Sequence, residues 1–112
     1  MKFKLNCIDW EILVVPQNDP RLTLDGGACY GVTNMREQAI YIDGSLSKIV
    51  FKQTVIHELI HAFKWSYGVH FPASGEEDID EALYDFMGAH LCSVYGLTKR
   101  IMKEYYGGVD DA

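Results

Sequence analysis

Cysteine and basic charge are both scarce in this chain, and each shortage removes a class of protein. The three cysteines, Cys7, Cys29 and Cys92, are far apart and odd in number within 112 residues. They make no CxxC or zinc-ribbon spacing, so the sequence predicts buried thiols in a reducing compartment and no disulfide scaffold. Lys and Arg total 10 against 16 Asp and Glu, a formal net charge of −6. Phosphate binding needs a basic surface, so a nucleic-acid partner is not expected. Long apolar runs are missing too. The start, "MKFKLNCIDWEILVVP", alternates and contains acids where a signal peptide is uniformly apolar, and nothing later reaches the length of a membrane span. A soluble cytoplasmic protein with no membrane partner is the expectation. Repeats, low-complexity segments and linkers are also lacking, so residues 1–112 are expected to form one domain.

What is present is nearly half apolar residues, enough for one compact core, divided into two differently patterned halves. The first half reads as strands. "WEILVVP" (Trp10 to Pro16) is rich in β-branched residues and is ended by Pro16. "QNDPRLTLDGG" is turn-rich and predicts a loop with one short helical turn. "ACYGVTNMREQAIYIDG" predicts a β-hairpin, with "CYGVT" and "QAIYI" as arms around "NMRE". In the second arm Ala39, Tyr41 and Asp43 face one way, and Ile40 and Ile42 the other.

The second half reads as helices. Ser45 or Ser47 can cap a helix that runs to about Tyr67, where Gly68 is a stop signal. "VHFPASG" predicts a loop. A second helix begins near Glu76, with an acidic first turn suited to the positive end of a helix dipole, and runs to about Tyr95 before Gly96. "LTKRIMKEYYGG" predicts a short third helix capped by Thr98. An α+β fold follows: an N-terminal sheet containing antiparallel strands, then the two longer helices.

The first of those helices carries "TVIHELIHAFKW". At about 100° per residue, His57 and His61 lie about 40° apart, one turn above the other, with Glu58 within about 100° of both. Ile56, Leu59, Ile60 and Phe63 fall on the other side and can fix the helix to the sheet. One face packs, and the other presents two imidazoles and a carboxylate. Two nitrogens converging from adjacent turns suit one zinc ion, at about 2.0–2.1 Å each. Glu58 follows His57 directly and points sideways, toward water beside the ion, where a carboxylate serves as general base for hydrolysis.

A catalytic zinc site normally has three protein ligands and one open position. On the second helix Glu81 and Asp85 repeat the spacing of His57 and His61, and the small residues Gly88 and Cys92 continue their stripe, allowing close approach to the first helix. Leu83, Phe86, Met87 and Val94 take the opposite side as core. Glu81 is therefore the expected third ligand, and Asp85 the acceptor for the free ring N–H of a liganding histidine, His57 before His61.

The pair of motifs resembles a known family. "HELIH", followed after nineteen residues by "EALYD", looks like the gluzincin metallopeptidases, with H-E-x-x-H and a downstream E-x-x-x-D on a second helix. The resemblance implies a small zincin-like domain, Zn2+ held by His57, His61 and Glu81, Glu58 as catalytic base, and Asp85 as partner of a liganding histidine. It implies peptide-bond hydrolysis of a peptide or protein substrate. The preceding "GVTNMREQAIYIDGSL" is similar to small phage- and mobile-element-type metallopeptidases, including the ImmA/IrrE-like group and minimal gluzincins. The likeness covers about residues 31–96. Two features depart from it. Larger gluzincins add a lobe with a histidine or tyrosine for the oxyanion, which 112 residues do not accommodate. The ImmA-like proteins usually have glycine before the second histidine, where this chain has Ile60.

For the missing electrophile, His70 in the loop after the first helix is the leading candidate, ahead of Tyr67 and Tyr84, which read as packing residues. His90 reads as a partly buried core histidine. An extended substrate needs a free strand edge beside the metal, and either arm of the hairpin can supply it. Two other functions compete. A di-iron carboxylate centre needs a second E-x-x-H, and Met87 stands where its glutamate belongs, three residues before His90. A regulatory module that keeps metal without turnover is the alternative reading, but it has no use for Glu58.

Overall fold

The computed structural model describes residues 1–70 and 79–107. Strands β1 (Lys2–Leu5), β2 (Ile8–Val15), β5 (Gly31–Asn34) and β6 (Ala39–Asp43) form one sheet in the order β1-β2-β6-β5. β1 pairs antiparallel with β2, β2 parallel with β6, and β5 antiparallel with β6. A 3₁₀ turn, Pro20–Leu22, and a two-stranded ribbon, β3 (Thr23–Leu24) with β4 (Gly27–Ala28), fill the connection from β2 to β5. Helices α1 (Lys48–Ser66) and α2 (Ile79–Tyr106) complete a small α+β domain.

The expected hairpin is present, with β5 and β6 as its arms. β1 was not expected. Its turn to β2 uses Asn6 and Cys7, both at positive φ (50° and 65°), the backbone of a tight primed hairpin turn that more often uses Asn-Gly. The Asp25-Gly26 pair does the same for the small ribbon (φ 52° and 81°).

Alternation along the strands separates two apolar layers. Ile12, Ile40 and Ile42 face α1 and α2 and join Phe51, Val55, Leu59, Phe63, Val94 and Ile101 in the main core. Val15, Ala39 and Tyr41 face the other way and pack with Leu22 of the 3₁₀ turn. β6 lies between both layers, and all five of its residues are buried. The split of Ile40 and Ile42 from Ala39 and Tyr41 is the one predicted by strand periodicity.

α1 starts and stops where its caps dictate. Ser47 Oγ accepts from the Val50 amide at 3.4 Å. Gly68, at φ 67°, turns the chain out, and Val69 N–H bonds Lys64 O at 2.8 Å. The end of the helix is tied to the sheet: buried Trp10 Nε1 donates to Ser66 Oγ at 2.8 Å, and Asn6 Nδ2 donates to Ser66 O at 3.0 Å.

Two expectations need correction. α2 is one helix, continuous through Gly96, and not two with Thr98 as a cap. Leu97, Thr98, Ile101 and Met102 are all buried, with Thr98 Oγ1 donating to Val94 O at 2.8 Å. That burial outweighs the roughly 1 kcal/mol that one interior glycine costs. The predicted start near Glu76 lies outside the described residues. The cysteines also are not buried: Cys7 sits in the hairpin turn and Cys92 on the outer face of α2, both exposed, and Cys29 is intermediate. Among the described residues no helix is long and apolar enough to cross a membrane.

Candidate metal centre

α1 keeps its apolar stripe against the core, with Val55, Leu59 and Ala62 fully buried. The remaining face turns His57 and His61 outward, both exposed. Their rings meet edge to face with centroids 5.0 Å apart, and their Nε2 atoms are 3.3 Å apart. Two ligands about 2.0–2.1 Å from one tetrahedral ion are about 3.3–3.4 Å from each other. The Nε2 separation therefore matches one edge of a zinc tetrahedron.

Glu58 points under the sheet edge. It is only 7% exposed although it carries a carboxylate. Thr33 of β5 explains how that is tolerated: its hydroxyl lies 2.7 Å from Glu58 Oε1, and 3.1 Å from the Glu58 carbonyl oxygen. The other carboxylate oxygen, Oε2, is left facing the histidines, 3.8 Å from His57 Nε2. One oxygen is anchored and the second is offered to the space beside the imidazoles.

Gly31 makes this approach of helix and strand possible. A Cβ there lies 2.7 Å from Thr54 Cγ2, 2.9 Å from Glu58 Cγ and 3.2 Å from Ile42 Cδ1. A side chain fits there only if Thr54 and Glu58, or the helix that carries them, shift. Neither Gly31 nor Thr33 was singled out from the sequence. A glycine inside a strand pattern is a signal of close backbone approach, and it was present; nothing local marks Thr33.

The three polar side chains of the motif open into a groove of about 740 Å³. Its walls are Gly31, Val32 and Thr33 of β5 and Val50, Gln53 and Thr54 of α1, with Tyr30 and Met35 at either end of the strand. The sheet order settles a point the sequence left open: β5, not β6, is the edge arm, and it borders the histidines.

No family model, curated protein or solved structure matches this chain.

The second helix does not bring its acids to the pair. His90 packs at a tilt against Phe63 and Tyr67, with ring centroids 5.7 and 4.6 Å away, so α2 runs back along α1 with His90 level with the last turn of α1. Glu81, nine residues earlier, is carried about 13 Å beyond that level. Glu81 and Asp85 are both exposed. Among the described residues no group of three His, Cys, Asp or Glu side chains is placed to hold a metal ion. The stripe of Gly88 and Cys92, expected against α1, faces solvent; Phe86, Val94, Leu97 and Ile101 make the packing face instead. Leu83 and Met87, expected in the core, are exposed for the same reason.

The remaining candidates also have definite places. His70 is exposed after the end of α1 and is not among the groove residues. Tyr67 stacks on Phe63 and its hydroxyl accepts from the Asn6 amide at 3.1 Å, a packing role. Tyr84 is exposed on α2. His90 is half-buried among aromatic rings, as its position on the helix predicted.

Proposed function

We propose that the protein is a zinc-dependent peptidase of the zincin type, hydrolysing peptide bonds in the groove between α1 and β5. The observation that supports this most is the imidazole pair, with its Nε2 atoms 3.3 Å apart, beside a buried glutamate whose free oxygen faces them. His57 and His61 would hold the metal, and Glu81 is the proposed third ligand. Since Glu81 stands on the solvent side of α2, its recruitment requires the first turns of α2 to change position. Asp85 is proposed to accept the ring N–H of a liganding histidine on the same movement.

Zinc bound there would supply Lewis acidity toward a carbonyl oxygen and toward water. Glu58 takes the proton from the attacking water through Oε2 and returns it to the leaving amine. Thr33 keeps the carboxylate aimed by holding Oε1. An extended substrate pairs its backbone with the outer edge of β5, the arm that borders the groove. His70 remains the proposed donor to the oxyanion.

A Glu58→Gln variant tests the reading against its alternative, a regulatory module that only holds metal. A peptidase keeps its zinc and loses about 10²–10⁴-fold in turnover on an unstructured polypeptide. A rate unchanged by the substitution sinks the assignment of Glu58, and an absence of turnover in the native protein with zinc bound favours the module.

A further inference from the structure

We propose that a second copy of this chain packs antiparallel along the outer face of α2. Tyr84 (60% exposed), Leu91 (49%) and Tyr95 (54%) are large side chains left uncovered on that helix. With Gly88 they follow steps of four, three and four residues, which is the spacing of a helix–helix seam. They do not belong to the intramolecular core, because Phe86, Val94, Leu97 and Ile101 already pack the other side of the helix. An exposed apolar stripe of this kind marks an interaction surface.

The stripe matches itself when reversed. An antiparallel partner with its twofold axis between Ala89 and His90 sets Tyr84 opposite the second copy's Tyr95, and Leu91 opposite the second copy's Gly88. Gly88 is exposed and carries no side chain, so it is the small member of that pair. Both halves of the large-to-small fit lie on one surface, as an isologous interface requires.

Charge selects the same arrangement. Glu81 and Asp85 flank the beginning of the stripe, and Lys99 flanks its end, with its Nζ 5.5 Å from the Tyr95 ring centroid. Antiparallel pairing brings the second copy's Lys99 level with Asp80, one residue from Glu81 and within one to two turns of Asp85; parallel pairing sets acid against acid. The seam uses α2 as it stands, with Glu81 away from His57 and His61, and it needs no metal.

The test is sedimentation equilibrium of the full chain in EDTA across micromolar concentrations, so that zinc binding has no part in it. The expected species is a dimer of twice 12.7 kDa. Leu91→Asp raises the dissociation constant at least about tenfold, the effect of losing a buried apolar anchor. Lys99→Glu alone, and Glu81→Lys with Asp85→Lys, each weaken self-association, and an equimolar mixture of those two variants restores a dimer. Circular dichroism verifies that helix content is kept, and if Leu91→Asp does not fold the mixing result decides. A chain that stays monomeric throughout overturns the proposal. So does a dimer indifferent to Leu91→Asp, or a mixture that associates no better than its components.

Discussion

Replacing Gly31 with alanine probes the contact on which the whole site is built. The new Cβ is placed 2.7 Å from Thr54 Cγ2 and 2.9 Å from Glu58 Cγ, both well inside ordinary contact. Both neighbours are side-chain atoms of α1, so relief requires those side chains, or the helix that carries them, to give by several tenths of an ångström. Overpacking of this degree costs about 1–3 kcal/mol. The loss of glycine's freedom in the unfolded chain returns about 0.4–1 kcal/mol. The net destabilisation is about 1–2 kcal/mol, which for a chain of this length lowers Tm by roughly 4–8 °C. Urea unfolding followed by circular dichroism should show a lower midpoint with an unchanged slope. Thr54→Ser removes the nearer methyl group while keeping the hydroxyl that bonds Val50 O at 2.7 Å. Combined with Gly31→Ala it should recover about 0.5–1 kcal/mol relative to the sum of the single changes. An alanine variant as stable as the native chain, or strict additivity with Thr54→Ser, refutes the close approach of β5 to α1.

Three further substitutions probe separate links. Thr33→Val takes the donor away from the buried Glu58 carboxylate and should lower stability by about 1–3 kcal/mol in the same unfolding assay, with Thr33→Ser close to native. Ser66→Ala leaves the buried indole N–H of Trp10 without its partner and should cost about 1–3 kcal/mol, read from the unfolding transition followed by tryptophan fluorescence. Gly96→Ala should stabilise by about 0.5–1 kcal/mol, since α2 is continuous there and the added Cβ meets nothing within 4 Å; a loss of stability would indicate a break in the helix at that point.

The legible parts of this protein were those with local causes. α1 could be placed from the choice of Ser45 or Ser47 as cap, from Gly68 and from its apolar spacing, because caps and periodicity act within a few residues. The hairpin of β5 and β6 was readable for the same reason, and so was the convergence of His57 and His61, which follows from helix geometry alone. β1 escaped notice because Asn6 and Cys7 adopt left-handed backbone without the glycine that usually announces such a turn. The single α2 was misread because Gly96 is a local stop signal, while the burial of Leu97, Ile101 and Met102 that overrides it is a tertiary effect. The same continuity determines where Glu81 lies, so its distance from the histidines was not written in the spacing of the two motifs. Thr33 reaches Glu58 across 25 positions of sequence, and only the fold puts them together.

Isothermal titration of the metal-free chain with zinc tests the central claim most directly. The geometry of His57 and His61 predicts one ion per chain, strong weakening by His57→Ala or His61→Ala, retention by Glu58→Gln, and a smaller loss with Glu81→Ala. Absence of binding, or binding that survives removal of either imidazole, contradicts it.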